Sequence, residues 1–194
     1  MLYLITHAHT LQKRNTDAAV WDLSAAGYQQ AEALARLSLW DGVDRVVVSS
    51  EPKTRLTVAP VLAAHRLPLT VDPRFDELRR GSGWVGDYAG RVAAVFAEPD
   101  RSVGGGETAA DALARFVEGI DALRDAFPHE TIALVGHGLT FSLYRAHLLG
   151  QKQVDFTDWQ RLSFCAVAEV EWPEQRLVRD FQPVPGGPQI ERGG

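Results

Sequence analysis

Residues 2–10 read Leu2-Tyr3-Leu4-Ile5-Thr6-His7-Ala8-His9-Thr10. Leu2–Thr6 is short, apolar and β-prone, and it reads as a strand buried on both faces. The polar stretch from His9 to Asp17 is the loop that follows, so His7 stands at the carboxyl end of the strand. The arrangement recurs downstream. Thr131-Ile132-Ala133-Leu134-Val135 is another apolar run, and it leads into Gly136-His137-Gly138-Leu139-Thr140, a second strand-end histidine followed by a small residue.

Between and beyond these runs, strands alternate with amphipathic helices. Ser24 N-caps a predicted helix from Ala25 to about Leu37, and Asp41-Gly42 marks a turn. Arg45–Ser49 is the next strand, and Pro52 suits the first turn of a helix running to about His65. Leu69–Asp72 reads as a short strand, followed by an irregular Gly-, Arg- and Asp-rich segment over 73–106 with one helix at about Gly90–Ala97. Helices are expected over about Glu107–Phe127 and Leu139–Leu149, and a closing β pair over Phe164–Trp172 and Arg176–Phe181, with Pro173-Glu174 in its turn. This alternation predicts an α/β fold: a three-layer sandwich whose mostly parallel sheet carries helices on both faces. In such sheets ligands sit beyond the carboxyl ends of the strands, where both histidines stand.

Composition narrows the function. At 194 residues and 45% hydrophobic content, the chain supplies one good core, so a single domain over 1–182 is expected, with a Pro/Gly-rich, loosely packed tail over 183–194. A net charge of −5, with Lys and Arg scattered, predicts no nucleic-acid and no membrane-surface partner. The single Cys165 precludes an internal disulfide and a cysteine-based zinc site. No signal-peptide pattern opens the sequence and no apolar run reaches about 18 residues, so a cytoplasmic location is expected.

A neutral imidazole can attack phosphorus, and a second can donate a hydrogen bond to a phosphoryl oxygen. A helix directly after His137 would also turn backbone N–H groups and its dipole toward an anion. Either histidine alone reads equally well as a strand-end residue bonded to backbone. The pair points to chemistry.

The motifs resemble those of the histidine phosphatase superfamily, the phosphoglycerate-mutase-like group. Its opening Arg-His-Gly corresponds to Thr6-His7-Ala8, with Thr10 also matching. Its Leu-Ser/Thr-x-x-Gly-x-x-Gln-Ala signature is Leu23-Ser24-Ala25-Ala26-Gly27-Tyr28-Gln29-Gln30-Ala31. The Ser-Ser pair with a following basic residue is Ser49-Ser50-Glu51-Pro52-Lys53, the Gly-Glu-Ser/Thr motif is Gly106-Glu107-Thr108, and the second histidine motif is Val135-Gly136-His137-Gly138. Together they span nearly the whole chain in the family's order. The resemblance implies His7 as the nucleophile that becomes phosphohistidine, and His137 as stabiliser of the transferring group beside Gly138. It also implies Glu77, in Phe75-Asp76-Glu77-Leu78-Arg79, as the acid that protonates the leaving oxygen and then activates water, a task suited to a raised pKa. Asp76 is the competing carboxylate.

The pattern departs from the family where phosphate is held. The arginine expected before the nucleophile is Thr6, and the one expected after the Ser-Ser pair aligns with Lys53, or with Arg55 if the register differs. Neither a hydroxyl nor a point charge reproduces the planar arginine fork. Lys13 and Arg14 after His7, and Arg79 and Arg80 after Glu77, are candidates to replace it, though each by itself reads as a solvated loop charge. His9 can contact substrate or stand idle, Trp84 and Tyr88 can line a cap or pack on the core, and Glu107-Thr108 is expected to start and anchor the long helix.

The implied function is a phosphomonoesterase acting on a small phosphorylated metabolite, with no cofactor and no metal, and a homodimer left open. Three rivals remain. His7-Ala8-His9 is similar to the His-x-His pair of metal-dependent barrel hydrolases, but such barrels need about 250 residues and further ligands. The Thr6 departure favours a pseudophosphatase that binds phosphorylated ligands without turnover. Mutase-type phosphotransfer fits less well, because the mutases are longer and keep both arginines.

Overall fold

The structure is a computed structural model that describes residues 1–81, 85–172 and 174–192, so the readings of Trp84 and Pro173 lie outside the described residues. In chain order the elements are β1 (Leu2–Thr6), α1 (Ala25–Leu34), β2 (Arg45–Val48), α2 (Pro52–His65), β3 (Leu69–Val71) and α3 (Tyr88–Ala97). They continue with α4 (Ala109–Ala126), β4 (Ile132–Gly136), α5 (Gly138–Leu148), α6 (Phe156–Arg161), β5 (Ala166–Glu171) and β6 (Arg176–Pro183). The strands form one mixed sheet in the order β3-β2-β4-β1-β5-β6. The first four are parallel, and β5 and β6 close the edge antiparallel.

Alternation along the central strands builds the two covering layers. Ile5, Val46, Val48, Ala133 and Val135 pack with Ala31 and Leu34 of α1 and with Val58 and Val61 of α2. Leu2, Leu4, Val47, Ile132 and Leu134 pack on the other face with Phe116 and Ile120 of α4 and with Phe141 and Tyr144 of α5. β1 and β4 are buried on both faces apart from the part-buried Tyr3, as their largely apolar composition requires. A third apolar cluster, with Val92 and Phe96 of α3 and Trp159 of α6, packs beside α4 and α5.

Register positions the histidines. β1 pairs parallel with β4 from Leu2↔Ile132 to Thr6↔Gly136, and the His7 N–H donates to Gly136 O at 2.9 Å. His7 and His137 are therefore the next residues on adjacent strands, which lie about 4.8 Å apart.

Two sequence expectations need correction, and one element had no counterpart in them. The first helix stops at Leu34 rather than near Leu37, because Ser38–Gly42 forms a 3-10 turn that buries Trp40. The short helix α6 was not anticipated. Its six residues are too few for a periodic signal, and its Asp155 cap and buried Trp159 are recognisable only in context. The stretch over residues 183–192 is not loose. Pro183 ends β6, the Val184 N–H donates to Cys165 O at 3.1 Å, Gln30 Nε2 donates to Pro188 O at 2.7 Å, and the Phe164 N–H donates to Ile190 O at 2.9 Å. Ser163 and Glu191 form an isolated antiparallel bridge. Its partners lie far away in sequence, so composition gives no hint of its order.

Thr6 anchors this returning stretch. Its Oγ1 donates to Ser163 O and accepts from the Ala166 N–H, both at 2.9 Å and both buried. Thr6→Val preserves shape but strands both backbone groups, so it should lower unfolding free energy by about 1–3 kcal/mol in urea titrations, a loss that an exposed hydroxyl would not produce.

Candidate active site

A cleft of about 500 Å³ opens at the carboxyl ends of β1 and β4 and is lined by His7, Glu77, His137, Lys53, Thr10, Tyr88 and Arg192, among others. The His7 and His137 rings face each other with centroids 5.3 Å apart and planes tilted by 59°.

The His7 tautomer follows from its partner. Nδ1 lies 2.8 Å from Ala8 O, and a carbonyl only accepts, so Nδ1 carries the hydrogen. Burial pushes the His7 pKa well below the ordinary imidazole value, and the charges of Arg192 and Lys53 push it further. The ring is thus neutral, and Nε2 carries an available lone pair.

His137 sits at the N-cap position of α5 and is fully buried. Burial, then Lys53, Arg192, Arg80 and Arg115, hold its pKa well below the ordinary value. Glu51 Oε1 stands 3.7 Å from Nε2, and the contact would be an ion pair only with a charged ring. Nε2 meets Ser49 Oγ at 2.8 Å, and that hydroxyl also contacts Thr54 Oγ1 at 3.2 Å and accepts from the Glu51 N–H. We assign the Ser49 proton to the shorter contact, which leaves the ring hydrogen on Nδ1. That nitrogen is buried without a hydrogen-bond partner among the described residues.

Glu77 is placed by three backbone donors. Its carboxylate accepts from the Leu78, Leu139 and Thr140 N–H groups at 3.0, 3.2 and 3.1 Å. The α5 N-terminus, expected to face an external anion, therefore meets the chain's own carboxylate at these two N–H groups. The segment bearing Glu77 is pinned by Arg115, whose Nη1 donates to Arg74 O and Asp76 O, and which pairs with Glu107 at 2.9 Å. Asp76 does not compete for the cleft, because it accepts from the Ser50 N–H and hydroxyl. Thr108 caps α4 as expected, while Glu107 also accepts from the Arg79 N–H.

The basic candidates separate. Lys53 lines the cleft but is already engaged, with Nζ donating to Ala18 O at 2.7 Å and paired with Glu51 at 2.6 Å. Arg14 and Arg80 line the cleft, with Arg80 4.9 Å over the Tyr88 ring. Lys13, Arg55 and Arg79 are exposed and do not line it, because their backbone positions point outward from the loop, from α2 and from the turn after Glu77. Thr6 does not reach it either, since the backbone around Ser163 occupies its hydroxyl. His9 turns to Ser24 Oγ at 2.7 Å and stacks edge-on against Phe164, so it braces α1 instead of forming a His-x-His chelate with His7. Gly27 is required at the same junction, because a Cβ there would collide with His9 O.

Sequence reasoning missed Arg192. Its guanidinium lies 4.3 Å over the Phe164 ring, and Nε and Nη2 are buried without a partner among the described residues. Gly138 matters for the same reason: a Cβ at this position would strike the Arg192 guanidinium. Only the Pro/Gly-rich composition around Arg192 was visible in sequence, and that signal pointed the other way.

A family model described as the histidine phosphatase superfamily (branch 1) matches residues 2–180. Among solved structures, the chain resembles YhfR of Bacillus stearothermophilus, with TM-score 0.74 and 19% identity over 95% of this chain and 98% of that one. It also resembles a mycobacterial glucosyl-3-phosphoglycerate phosphatase (TM-score 0.73, 22% identity, 94% and 98% covered) and the α-ribazole phosphatase of Shigella flexneri (TM-score 0.68, 21% identity, 98% and 98% covered). At such identities the likeness establishes the fold alone. Among curated proteins, none matches at a significant level.

The two buried imidazoles set a stability signature. Both are neutral in the folded protein, whereas an unfolded histidine binds a proton below about pH 6.5. Their contribution is complete above that pH and is lost as pH falls toward their depressed folded values, by up to about 1.4 kcal/mol per pH unit each. Urea unfolding at pH 7 and pH 5 should therefore show a larger drop for wild type than for a His7→Asn/His137→Asn double variant. Equal drops would mean the rings are not held neutral.

Proposed function

Since the chain belongs to the histidine phosphatase superfamily (branch 1), we propose that it is a phosphomonoesterase that hydrolyses a small phosphorylated metabolite through a phosphohistidine on His7. The observation that carries this reading is the pair of facing neutral imidazoles, one of them with Nε2 unprotonated and open to the cleft.

Each residue has a part that its position suits. His7 Nε2 attacks phosphorus in line with the leaving oxygen, and the P–N bond forms as the P–O bond breaks. His137 Nδ1–H donates to a non-bridging oxygen as charge moves onto the phosphoryl group. Glu77 in its carboxylic-acid form delivers its proton to the departing oxygen, becomes the carboxylate that the Leu78, Leu139 and Thr140 N–H groups hold, and regains a proton from the water that cleaves the P–N bond, which returns His7 and releases orthophosphate. Lys53, Arg80 and Arg14 add positive potential along the wall and rim, favouring entry of a phosphate dianion into a chain that is acidic overall. Substrate choice falls to the loop after His7 and to the 73–106 segment, which contributes Tyr88.

A phosphatase panel with wild type and His7→Ala side by side tests the reading. Wild type should hydrolyse p-nitrophenyl phosphate, His7→Ala should be inert, and His137→Ala should lower kcat by about 10²–10³. Glu77→Gln should cost about 10²–10⁴ with alkyl phosphates and less with an aryl leaving group that needs no proton. A wild type inert toward every phosphomonoester would sink the proposal and leave a ligand-binding relative of these enzymes.

A further inference from the structure

We propose that Arg192 is the guanidinium that binds the phosphoryl group in this cleft, carried into it by residues 184–191. This assignment rests on the phosphoryl-transfer reading above and names the group that completes it. Position 6 places no charge at the cleft, since threonine is neutral, and its hydroxyl is spent on Ser163 O and the Ala166 N–H. Lys53 is spent on Ala18 O and Glu51. Among the described residues that line the cleft with His7, His137 and Glu77, Arg192 is a guanidinium with two buried nitrogens that no acceptor meets.

Buried donors without acceptors are rare in folded proteins and call for a ligand, water or ion to complete them. Here the side chain is also held in place. The Phe164 ring supports its plane, and the absence of a Cβ on Gly138 makes room for it at the start of α5. Burial lowers its pKa, and the acidic groups that oppose this are Glu77 and Tyr88. The Glu77 oxygens, however, already accept three backbone N–H groups. A planar fork, beside the unpartnered Nδ1 of His137, matches the adjacent oxygens of a tetrahedral oxyanion.

The route is built for delivery. The Phe164 N–H binds Ile190 O, Ser163 bridges to Glu191, and Gln30 Nε2 holds Pro188 O, so the backbone is tied at three points within the five residues before Arg192. The same Ser163–Ala166 loop is fastened to β1 by Thr6. The side chain at position 6 thus supplies no charge itself but anchors the loop on which Arg192 docks.

The test uses the full chain and reads binding and turnover separately, with orthophosphate and vanadate as calorimetric probes and p-nitrophenyl phosphate as substrate. Arg192→Gln should weaken vanadate binding by about tenfold or more and lower kcat/KM by about 10²–10³, with Tm unchanged. Arg192→Lys, which keeps the stem and the charge but not the fork, should fall between the two. Guanidinium ion at millimolar concentration should restore part of the Arg192→Ala rate and none of the His7→Ala rate, an outcome that misfolding would not mimic. Vanadate affinity and kcat/KM of Arg192→Gln within about threefold of wild type would overturn the assignment while leaving a His7-dependent phosphatase intact. Vanadate binding that needs Arg192 in a protein without turnover would uphold the assignment and overturn the phosphatase reading. A wild type that binds neither oxyanion overturns both.

Discussion

The site depends on one backbone pairing. β1 and β4 run parallel in the register Thr6↔Gly136, so the residues that leave the two strands, His7 and His137, emerge side by side from segments far apart in sequence. Their neighbours along both strands are buried apolar residues that fix which face each side chain takes, since a slip of one residue would send an imidazole to the opposite layer. The same burial keeps both rings neutral. A pair of neutral imidazoles at neutral pH thus follows from their position at the end of a sheet whose central strands are covered on both faces.

Around the pair, hydrogen bonding decides which groups are left for substrate. Glu77 is held by N–H groups of α5, Lys53 by Ala18 and Glu51, His9 by Ser24, and Thr6 by the Ser163–Ala166 loop. Arg115 links Glu107 at the start of α4 to the turn that presents Glu77, so this carboxylate is positioned by a part-buried cation that does not line the cleft. Among the described residues, the buried cleft nitrogens without partners belong to His137 and Arg192, where a tetrahedral anion would complete them.

Several motifs acquire a physical meaning only here. In the Leu23–Ala31 signature, Ser24 caps α1 and meets His9, Gly27 lets α1 pass His9 O, and Gln30 spans from the His9 N–H to Pro188 O. The signature therefore couples the loop after His7 to the returning stretch of chain. Ser49 of the Ser-Ser pair touches His137, whereas Ser50 serves the turn at Asp76.

The runs Leu2–Thr6 and Ile132–Val135 could be read directly, because double-sided burial demands uninterrupted apolar residues and short parallel strands provide little else. The caps at Ser24 and Thr108, the proline opening α2 and the two strand-end histidines were equally local, and they were enough for the layer architecture and for His7 and His137 as candidates, whereas Glu77 came from the family resemblance alone. Which cations face the cleft was not local. Lys13, Arg14, Arg55, Arg79 and Arg80 look alike as loop and surface charges, and only packing separates those that line the cleft from those that point outward. Arg192 lies in a stretch whose composition suggests disorder, and its order comes from the Gln30 side chain and from backbone partners at Ser163, Phe164 and Cys165. Patterning within a segment reports that segment's own burial, whereas the placement of a long charged side chain is settled by contacts between segments.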